Sequence, residues 1–378
     1  MPEDSERQAA VVVDVSSRTY TVSFDARSPG FVLAGSEERD RRVNGWAAVL
    51  SSLAREVSVL HRVQWTCRSL PAVLAGTRDI GGVAPNGAGT THHGNGAKPP
   101  PDAASSYVSL LETQSQATDL REIVVSVGID ARKCARAIRS AGGGDAGACT
   151  LLIREASMLR RRLAEASIDT GPLFSSVRLE RFVRSGFESA ARRTDVDRHD
   201  ARSARPGRWP WPMGMRAEWG HVMVEDTAHA TYWVSEWPRT DVGADFLGPL
   251  LLARSVPLSV SMVMEPLAPI EAARKLENAR TADIADAELR RRGGFLATAR
   301  RRREEEVVAQ REMELADGHA PYRFSGYVTV RASSVESLED ARAQAEQAAA
   351  RCGLELRLCY GDQADAFSAT LPLCRGLV

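Results

Sequence analysis

The residues best suited to chemistry lie in one short stretch, where two histidines flank a pair of carboxylates. His221, Glu225, Asp226 and His229 fall within nine residues, and imidazole and carboxylate groups are common ligands of a catalytic zinc ion. Their spacing matches no zinc-protease motif, and in a strand they would not all share one face. A metal-dependent hydrolase at His221, Asp226 and His229 is therefore one alternative, and surface polar side chains are the favoured interpretation.

Nucleotide hydrolysis has no motif to support it. A phosphate-binding loop needs Gly-Lys followed by Ser or Thr, and no Gly-Lys pair occurs in the sequence. The glycine-rich stretch 87–96 lacks that lysine, and 142–147 is better explained as a turn between helices with Asp145 as N-cap. No Gly-x-Ser-x-Gly elbow of an α/β-hydrolase is present. We therefore expect a non-enzymatic protein that needs neither cofactor nor metal.

Five of the seven tryptophans lie in one region of the chain. They are Trp209, Trp211, Trp219, Trp233 and Trp237. An indole ring is partly apolar and partly hydrogen-bonding, which favours protein interfaces. The same rings could instead fill the core where two halves of the chain meet, so both interpretations stay open.

Two basic runs form the remaining candidate surface. Arg290, Arg291 and Arg292 form one run and residues 300–303 the other, and such runs can meet nucleic acid or anionic lipid. Glutamates at 304–306 follow the second run at helical spacing, which favours a solvated helix face paired with itself. Lys plus Arg and Asp plus Glu both total 49, so net charge favours no polyanion. Nucleic-acid binding is possible but not favoured, and Arg290, Arg291 and Arg292 join the tryptophans as possible interface residues.

Alternating and helical periodicities predict the elements that position these residues. Residues 11–33 alternate as in a β-hairpin, and a helix with its N-cap at Ser36 follows. The later patterns predict strands at 59–67, 122–129, 229–237, 256–265, 322–332 and 353–360, and helices at 131–140, 145–166, 173–189, 243–252 and 334–352.

These elements predict an α+β fold made of two halves. Residues 1–189 form the first α+β half with a disordered loop at about 76–102, and an Arg/Pro-rich linker at 190–213 leads to the second half at 214–378. The second half includes a long helical hairpin arm at about 270–317. Because the order of elements repeats weakly, we expect two ferredoxin-like sandwiches, each with helices on one face of a mixed sheet.

No segment is predicted to cross a membrane. The most apolar stretch, residues 246–264, contains Pro249, Arg254 and Pro257, so we expect a buried helix followed by a buried strand. The amino terminus carries no apolar signal region. Six cysteines show no zinc spacing, and we expect them to be reduced.

Several segments resemble an actinobacterial family of membrane proteins. Its members are encoded beside PrgI-like proteins and the VirB-type ATPase of conjugation-like type IV secretion clusters. The segments that carry the resemblance are Trp46–Glu56, His61–Trp65, Ala141–Gly147, Ala230–Pro238, Thr281–Arg291, Ala316–His319 and Thr370–Leu377.

The resemblance implies a role in assembly. Family members are similar to the amino-terminal, non-ATPase region of the VirB-type ATPases and, more distantly, to the EccE component of type VII secretion. It implies as partners the secretion ATPase and the PrgI-like membrane protein, within an oligomeric assembly. This sequence lacks the family's amino-terminal pair of transmembrane helices, so we expect a scaffold bound at the cytoplasmic face of the plasma membrane.

Overall fold

The structure is a computed structural model that describes residues 9–27, 34–55, 58–70, 120–187, 211–253, 256–267, 313 and 321–377. Within these ranges the chain is an α+β protein, as the sequence predicts. Its elements are β1 (Val12–Asp14), β2 (Thr19–Arg27), α1 (Ser36–Arg55), β3 (Arg62–Leu70), β4 (Leu120–Asp130), α2 (Ala135–Ser140), α3 (Gly144–Glu165), β5 (Asp169–Leu173), α4 (Ser176–Phe187), β6 (Met215–Ala217), β7 (Val222–Val224), β8 (Thr227–Glu236), α5 (Gly248–Leu251), β9 (Leu258–Pro266), β10 (Tyr322–Ala332), α6 (Val335–Arg351), β11 (Glu355–Leu358) and α7 (Gln363–Ser368).

One large sheet joins the described strands. Their order is β1-β2-β4-β3-β9-β10-β8-β7-β6, with β5 also paired to β2 and β11 also paired to β8. Every strand pair in the described part is antiparallel, so the expectation of a mixed sheet is wrong. The described strands before residue 190, which we call the first half, and those after residue 213, the second half, meet where β3 pairs with β9. Trp65 lies opposite Met262 in that ladder.

The order of elements is the same on both sides of this joint. From the outer edge inward, the strands run β5-β2-β4-β3 on one side and β11-β8-β10-β9 on the other. In chain order, one helix joins the first two strands of each set: α1 joins β2 to β3, and α5 joins β8 to β9. The last two strands are joined by α2 and α3 between β4 and β5, and by α6 between β10 and β11.

One face of the sheet is apolar and lies under most of the helices. In β2 and β4, every second side chain points to this face because successive strand residues alternate, and Val22, Phe24, Val127 and Ile129 are at most 1 % exposed. They pack against the apolar side of α3, including Leu152, and against α1 and α2. In the second half, strand residues of β8, β9 and β10 pack in the same way on α5 and α6.

The opposite face of the sheet is polar, and it too is buried. Its side chains are mainly hydroxyl and amide groups with two arginines and a histidine, and they are Thr21, Ser23, Gln64, Thr66, Arg68, Ser126, His229, Thr231, Ser259, Ser261, Thr329 and Arg331. The cover consists of α4, α7 and the segment 369–374. Helices were expected on one face only, and this expectation is wrong because α4 and α7 lie on the second face.

Local sequence explains where the predicted elements differ from the structure. The predicted helix at 243–252 is helical only at Gly248–Leu251, since Pro249 lies in its first turn and disfavours helix in the residues before it. The predicted helix at 173–189 is preceded by the short strand β5 and begins at Ser176. The short elements β6, β7 and α7 were not predicted.

The remaining predictions lie outside the described residues. These are the loop at about 76–102, the linker at 190–213 apart from residues 211–213, and the arm at about 270–317 apart from Met313. The division into halves at 1–189 and 214–378 stays a prediction.

Candidate functional site

The structure does not assemble a metal site from the two histidines and Asp226. His229 lies on β8 and is fully buried, whereas Asp226 is exposed in the turn that precedes this strand. His221 lies before β7, at the far end of that three-residue strand from Asp226. In the described part of the chain, no group of three or more His, Cys, Asp or Glu residues is placed to hold a metal ion. The structure therefore does not bring His221, Asp226 and His229 together and gives the alternative of a metal-dependent hydrolase no support.

The most unusual chemistry in the described core is a pair of buried arginines under the end of α4. Arg68 on β3 is 1 % exposed and Arg331 on β10 is 4 % exposed. Arg68 Nη1 donates to Phe182 O at 2.7 Å and to Ser185 Oγ at 2.9 Å. Arg331 Nη1 donates to Ser185 O at 3.0 Å. Ser185 is one of the last four residues of α4, whose carbonyls lack partners within the helix and carry partial negative charge. The two arginines therefore hold the carboxyl end of α4 on the sheet.

Packing around Arg68 fixes the position of α4 further. The guanidinium carbon of Arg68 lies 4.1 Å from the centroid of the Phe182 ring, a cation–π contact that is stronger away from water. Gly186 leaves room for this side chain, since a Cβ at that position would lie 3.0 Å from Arg68 Nη2. A larger residue at 186 would push α4 away from the arginine.

His229 belongs to the same buried group and is structural. Its Nε2 lies 3.3 Å from Phe187 O, and its ring centroid lies 4.8 Å from that of Phe367 on α7. Burial, followed by the positive charge of Arg331, lowers the pKa of His229 to about 3. The imidazole is therefore neutral at ordinary pH, and Nε2 carries the hydrogen that is donated to the carbonyl.

Alternation in the sequence would place these two arginines on a solvent-exposed face of their strands, whereas the structure buries them. Arg68 and Arg331 each stand between less polar strand residues, in Cys67-Arg68-Ser69 and Val330-Arg331-Ala332. That pattern is typical of a strand with one solvent face. Their burial depends on α4, which is distant in sequence from both strands.

A second ionic cluster ties the end of the chain to the sheet. Glu265 on β9 accepts from Arg323 at 2.7 Å and lies within 3.5 Å of Lys133, Arg62 and His61. Burial opposes its charge, but the hydrogen bond from Arg323 and the nearby cations outweigh burial and lower the pKa of Glu265 to about 2. Arg62 also donates to Cys374 O at 3.2 Å. This cluster is structural because its carboxylate is saturated with cations.

The candidate tryptophans divide between the core and the surface. Trp211 packs against Phe187 with ring centroids 6.0 Å apart. Trp237 packs edge-on against Phe324 at 5.6 Å. Trp233 is 38 % exposed and its Nε1 donates to Ser325 Oγ. Trp209, Arg290, Arg291 and Arg292 lie outside the described residues.

Trp219 is the candidate that the structure leaves most open to a partner. It is 73 % exposed and stacks on Tyr360, which is 56 % exposed, with ring centroids 6.3 Å apart. We call these two rings the aromatic ledge. Tyr360 was not predicted to be a site residue, although Gly361 directly after it was a signal for a surface turn.

The backbone holds the aromatic ledge in place. Gly361 N donates to Trp219 O at 2.8 Å. Gly361 has φ +74°, and a Cβ there would lie 2.9 Å from the Trp219 ring. The rings are thus positioned before any partner arrives, which lowers the entropy that binding must overcome.

The aromatic ledge is connected to α4 through the hairpin of β6 and β7. Trp219 lies in the turn of this hairpin, and Val222 and Val224 of β7 pack on Val183 and Phe187 of α4. The fold and this geometry define an α+β protein with an exposed pair of stacked aromatic rings.

One family model matches a region that contains Trp219 but not Tyr360. Residues 117–234 match the model of a family described as "Putative type VII ESX secretion system translocon, EccE". The match covers 118 of the 378 residues, from just before β4 to Val234 in β8. It gives the chain a distant relation to a secretion-system component. A search of curated proteins finds no match.

Among the described residues, no helix is both long enough and apolar enough to span a membrane.

Proposed function

We propose that the protein is a non-enzymatic assembly component of a type IV-like, conjugation-like secretion apparatus. The observation that carries this proposal is the match of residues 117–234 to the EccE family, because the matched region includes α4, the β6–β7 hairpin and Trp219. In this proposal, the aromatic ledge contacts the secretion ATPase at the cytoplasmic face of the plasma membrane. The PrgI-like membrane protein of the same cluster is the second partner and brings the chain to the membrane.

The chemistry of the described core supports a structural role. Arg68, Arg331 and His229 are directed at the carbonyls of α4 and away from solvent. The aromatic ledge is the opposite case, because both of its rings are exposed. Exposed, preorganised Trp and Tyr side chains are typical of interface hot spots.

The repeated order of elements supports a ferredoxin-like architecture for both halves. A ferredoxin-like unit joins four antiparallel strands and two helical connections in the order β-α-β-β-α-β. Along the chain, the first set runs β2-α1-β3-β4-α2-α3-β5 and the second runs β8-α5-β9-β10-α6-β11, so both sets follow this order. We propose that the halves arose by duplication and that the arm at about 270–317 is a helical hairpin inserted between β9 and β10.

The test is co-purification of the tagged full-length chain from its native host after the membranes are solubilised. We expect the wild type to recover the secretion ATPase. A Trp219→Ala, Tyr360→Ala double variant should recover at least about tenfold less, since loss of a hot spot costs 1.4 kcal/mol or more.

The control is Val177→Ala, which removes an exposed apolar side chain from α4 outside the ledge. It should recover as much ATPase as the wild type. Failure of the wild type to recover any component of the apparatus, even after chemical cross-linking, would overturn the proposal.

A further inference from the structure

The two halves differ most in the helix that links their first two strands. In the first half this helix is α1, which has 20 residues. In the second half it is α5, which has four. The halves otherwise repeat the same strand order, so the shorter helix leaves part of the second half without a helix over it among the described residues.

In the first half, the corresponding region of the sheet is covered by the long helix α1. Its Leu53 and Val49 are buried in the first core, where β9 residues Met262 and Met264 pack with them. Leu50 O accepts a hydrogen bond from Tyr322 Oη on β10 at 2.6 Å. The helix of the first half therefore reaches across the joint onto strands of the second half.

On the other side of the joint there is a groove in place of a helix. Trp65 lies directly opposite Met262 in the β3–β9 ladder. Met262 and Trp65 both pack against the core that includes α1. Trp65 also packs against the second core and lines a cavity of about 820 Å³ beside α5 and α6. A cylinder about 10 Å wide with this volume holds roughly two turns of α-helix. The cavity thus has the size of about two of the helical turns by which α5 is shorter than α1.

The lining of the groove suits an amphipathic helix. Its apolar surface includes Trp65, Leu251, Leu252 and Val256, and Leu252 is 48 % exposed although it is a large hydrophobic residue. An apolar floor of this kind binds side chains spaced three and four residues apart on one helix face.

The rim of the groove sets a charge preference. Arg351 lies at the carboxyl end of α6, is exposed, and has no ion pair with any described residue. On the rim formed by the segment before α5, Asp245 is already paired with Arg39 of α1 at 3.6 Å. The unpaired charge of the rim is therefore positive, which favours a helix with a carboxylate beside its apolar stripe.

We propose that this groove binds an amphipathic, acidic-edged α-helix of a partner protein, which completes the helix layer of the second half as α1 completes that of the first. The proposal rests on the proposed function only in requiring a protein partner, and it uses a surface distinct from the aromatic ledge. The partner helix would supply about two buried turns to Trp65, Leu252 and the exposed side of α6.

Site-specific photo-cross-linking in the native host tests the proposal. A benzophenone amino acid replaces Leu252 in the full-length chain, and in a second variant it replaces Ala343, an exposed residue of α6 outside the groove. We expect the Leu252 variant to cross-link to one partner segment whose apolar residues recur at three and four positions. The Ala343 variant should give at least about tenfold less of this adduct.

Charge reversal tests whether the Leu252 adduct depends on the charge of the groove or arises from nonspecific apolar contact. Arg351→Glu should reduce the Leu252 adduct severalfold by repelling the acidic edge. Arg136→Glu, an exposed charge reversal on α2, should leave it unchanged. Both variants should melt like the wild type, since both arginines are exposed.

Three outcomes would overturn the proposal. They are an adduct only with residues of the same chain, an adduct with a segment that lacks the helical pattern, and equal adducts from Leu252 and Ala343. The two proposals fail separately. If the ATPase co-purifies through the ledge while the Leu252 variant gives no partner helix, only the groove proposal falls.

Discussion

The two faces of the central sheet are buried by different means. On the apolar face, β2 and β4 meet the long amphipathic helix α3, and the contact is side-chain packing around residues such as Leu152 and Val127. On the polar face, α4 and the segment 369–374 are held by hydrogen bonds from Arg68, Arg331 and Gln64.

The two faces therefore contribute different properties: one contributes mainly to the free energy of folding, and the other fixes the position of the elements that lie on it. Apolar burial contributes roughly 25 cal/mol per Å² and tolerates small shifts. A buried hydrogen bond adds little net free energy but is costly when broken, and its direction fixes one arrangement. We infer that the apolar face supplies most of the stability, whereas the polar face sets where α4, and with it the hairpin that carries Trp219, lies on the sheet.

The largest effect is expected from a cavity on the apolar face. Leu152→Ala should lower the free energy of unfolding by about 2–5 kcal/mol, because Leu152 is fully buried against the strands and a cavity would remain. Urea unfolding measures the change. Met158→Ala, on the same helix and 37 % exposed, is the control and should cost less than about 1 kcal/mol. Equal losses in the two variants would show that α3 does not form the core contact.

A smaller and more local effect is expected from Arg68 on the polar face. Arg68→Met should cost about 1–3 kcal/mol, since the carbonyl of Phe182 and the hydroxyl of Ser185 lose a buried donor. Hydrogen exchange should speed up in α4 and in the β6–β7 hairpin before it does in α3. Arg68→Lys should restore little, because an ammonium lacks the planar group that stacks on Phe182.

The matched control for Arg68 is Arg136→Met on α2. Arg136 is exposed, so this substitution should change neither stability nor exchange. Uniformly faster exchange in Arg68→Met would contradict a local role for the polar face.

The next effect is a pH dependence that arises from His229. Its pKa is lowered to about 3 in the folded protein by burial and by Arg331, whereas an unfolded histidine has a pKa of about 6.5. Between these values the unfolded state binds more protons, so stability falls as the pH falls. From pH 6.5 to 5.5 the loss due to His229 should be about 1 kcal/mol.

A second histidine must be removed to see this effect alone. The pKa of His61 is lowered to about 4, chiefly by burial, so His61 contributes a loss of the same sign. In a His61→Gln background, adding His229→Gln should flatten the stability profile between pH 6.5 and 5.5. A profile that stays steep would show that His229 is not neutral and buried as the structure has it.

The sequence predicts the apolar face well and the polar face poorly. Alternation in Tyr20–Phe24 and the helical spacing from Val43 to Leu53 identify elements whose own residues form the core. The same alternation places Thr21, Ser23 and Gln64 on a polar side, which is the correct side, but nothing local shows that this side is covered.

The cover could not be predicted because it comes from distant parts of the chain. Gln64 bonds to Ala369 and Leu371, more than 300 residues away, and Arg68 bonds to Phe182. The same reason explains the aromatic ledge. Trp219 was a candidate from composition alone, whereas its partner Tyr360 depends on the pairing of β11 with β8, which one sequence does not specify.

The smallest effect concerns a hydroxyl network on the polar face. Thr329 Oγ1 lies 2.8 Å from Thr231 Oγ1 and 3.1 Å from Thr370 Oγ1. Thr329→Val keeps the shape and removes the hydroxyl, so it should cost about 0.5–1.5 kcal/mol. Thr150→Val, on the exposed side of α3, is the control and should be nearly neutral.

A double variant then tests why the polar face is polar. Thr231→Val leaves Thr329 with one hydroxyl partner fewer, so each single variant breaks the same bond. The double variant Thr231→Val, Thr329→Val should cost clearly less than the two single changes together, because an apolar pair leaves no broken bond between them. If it also leaves hydrogen exchange in α7 unchanged, these hydroxyls do not position the cover, and the role of the polar face rests on Gln64 and the arginines. Additive losses would instead mean that each hydroxyl acts alone, which would contradict a connected polar layer.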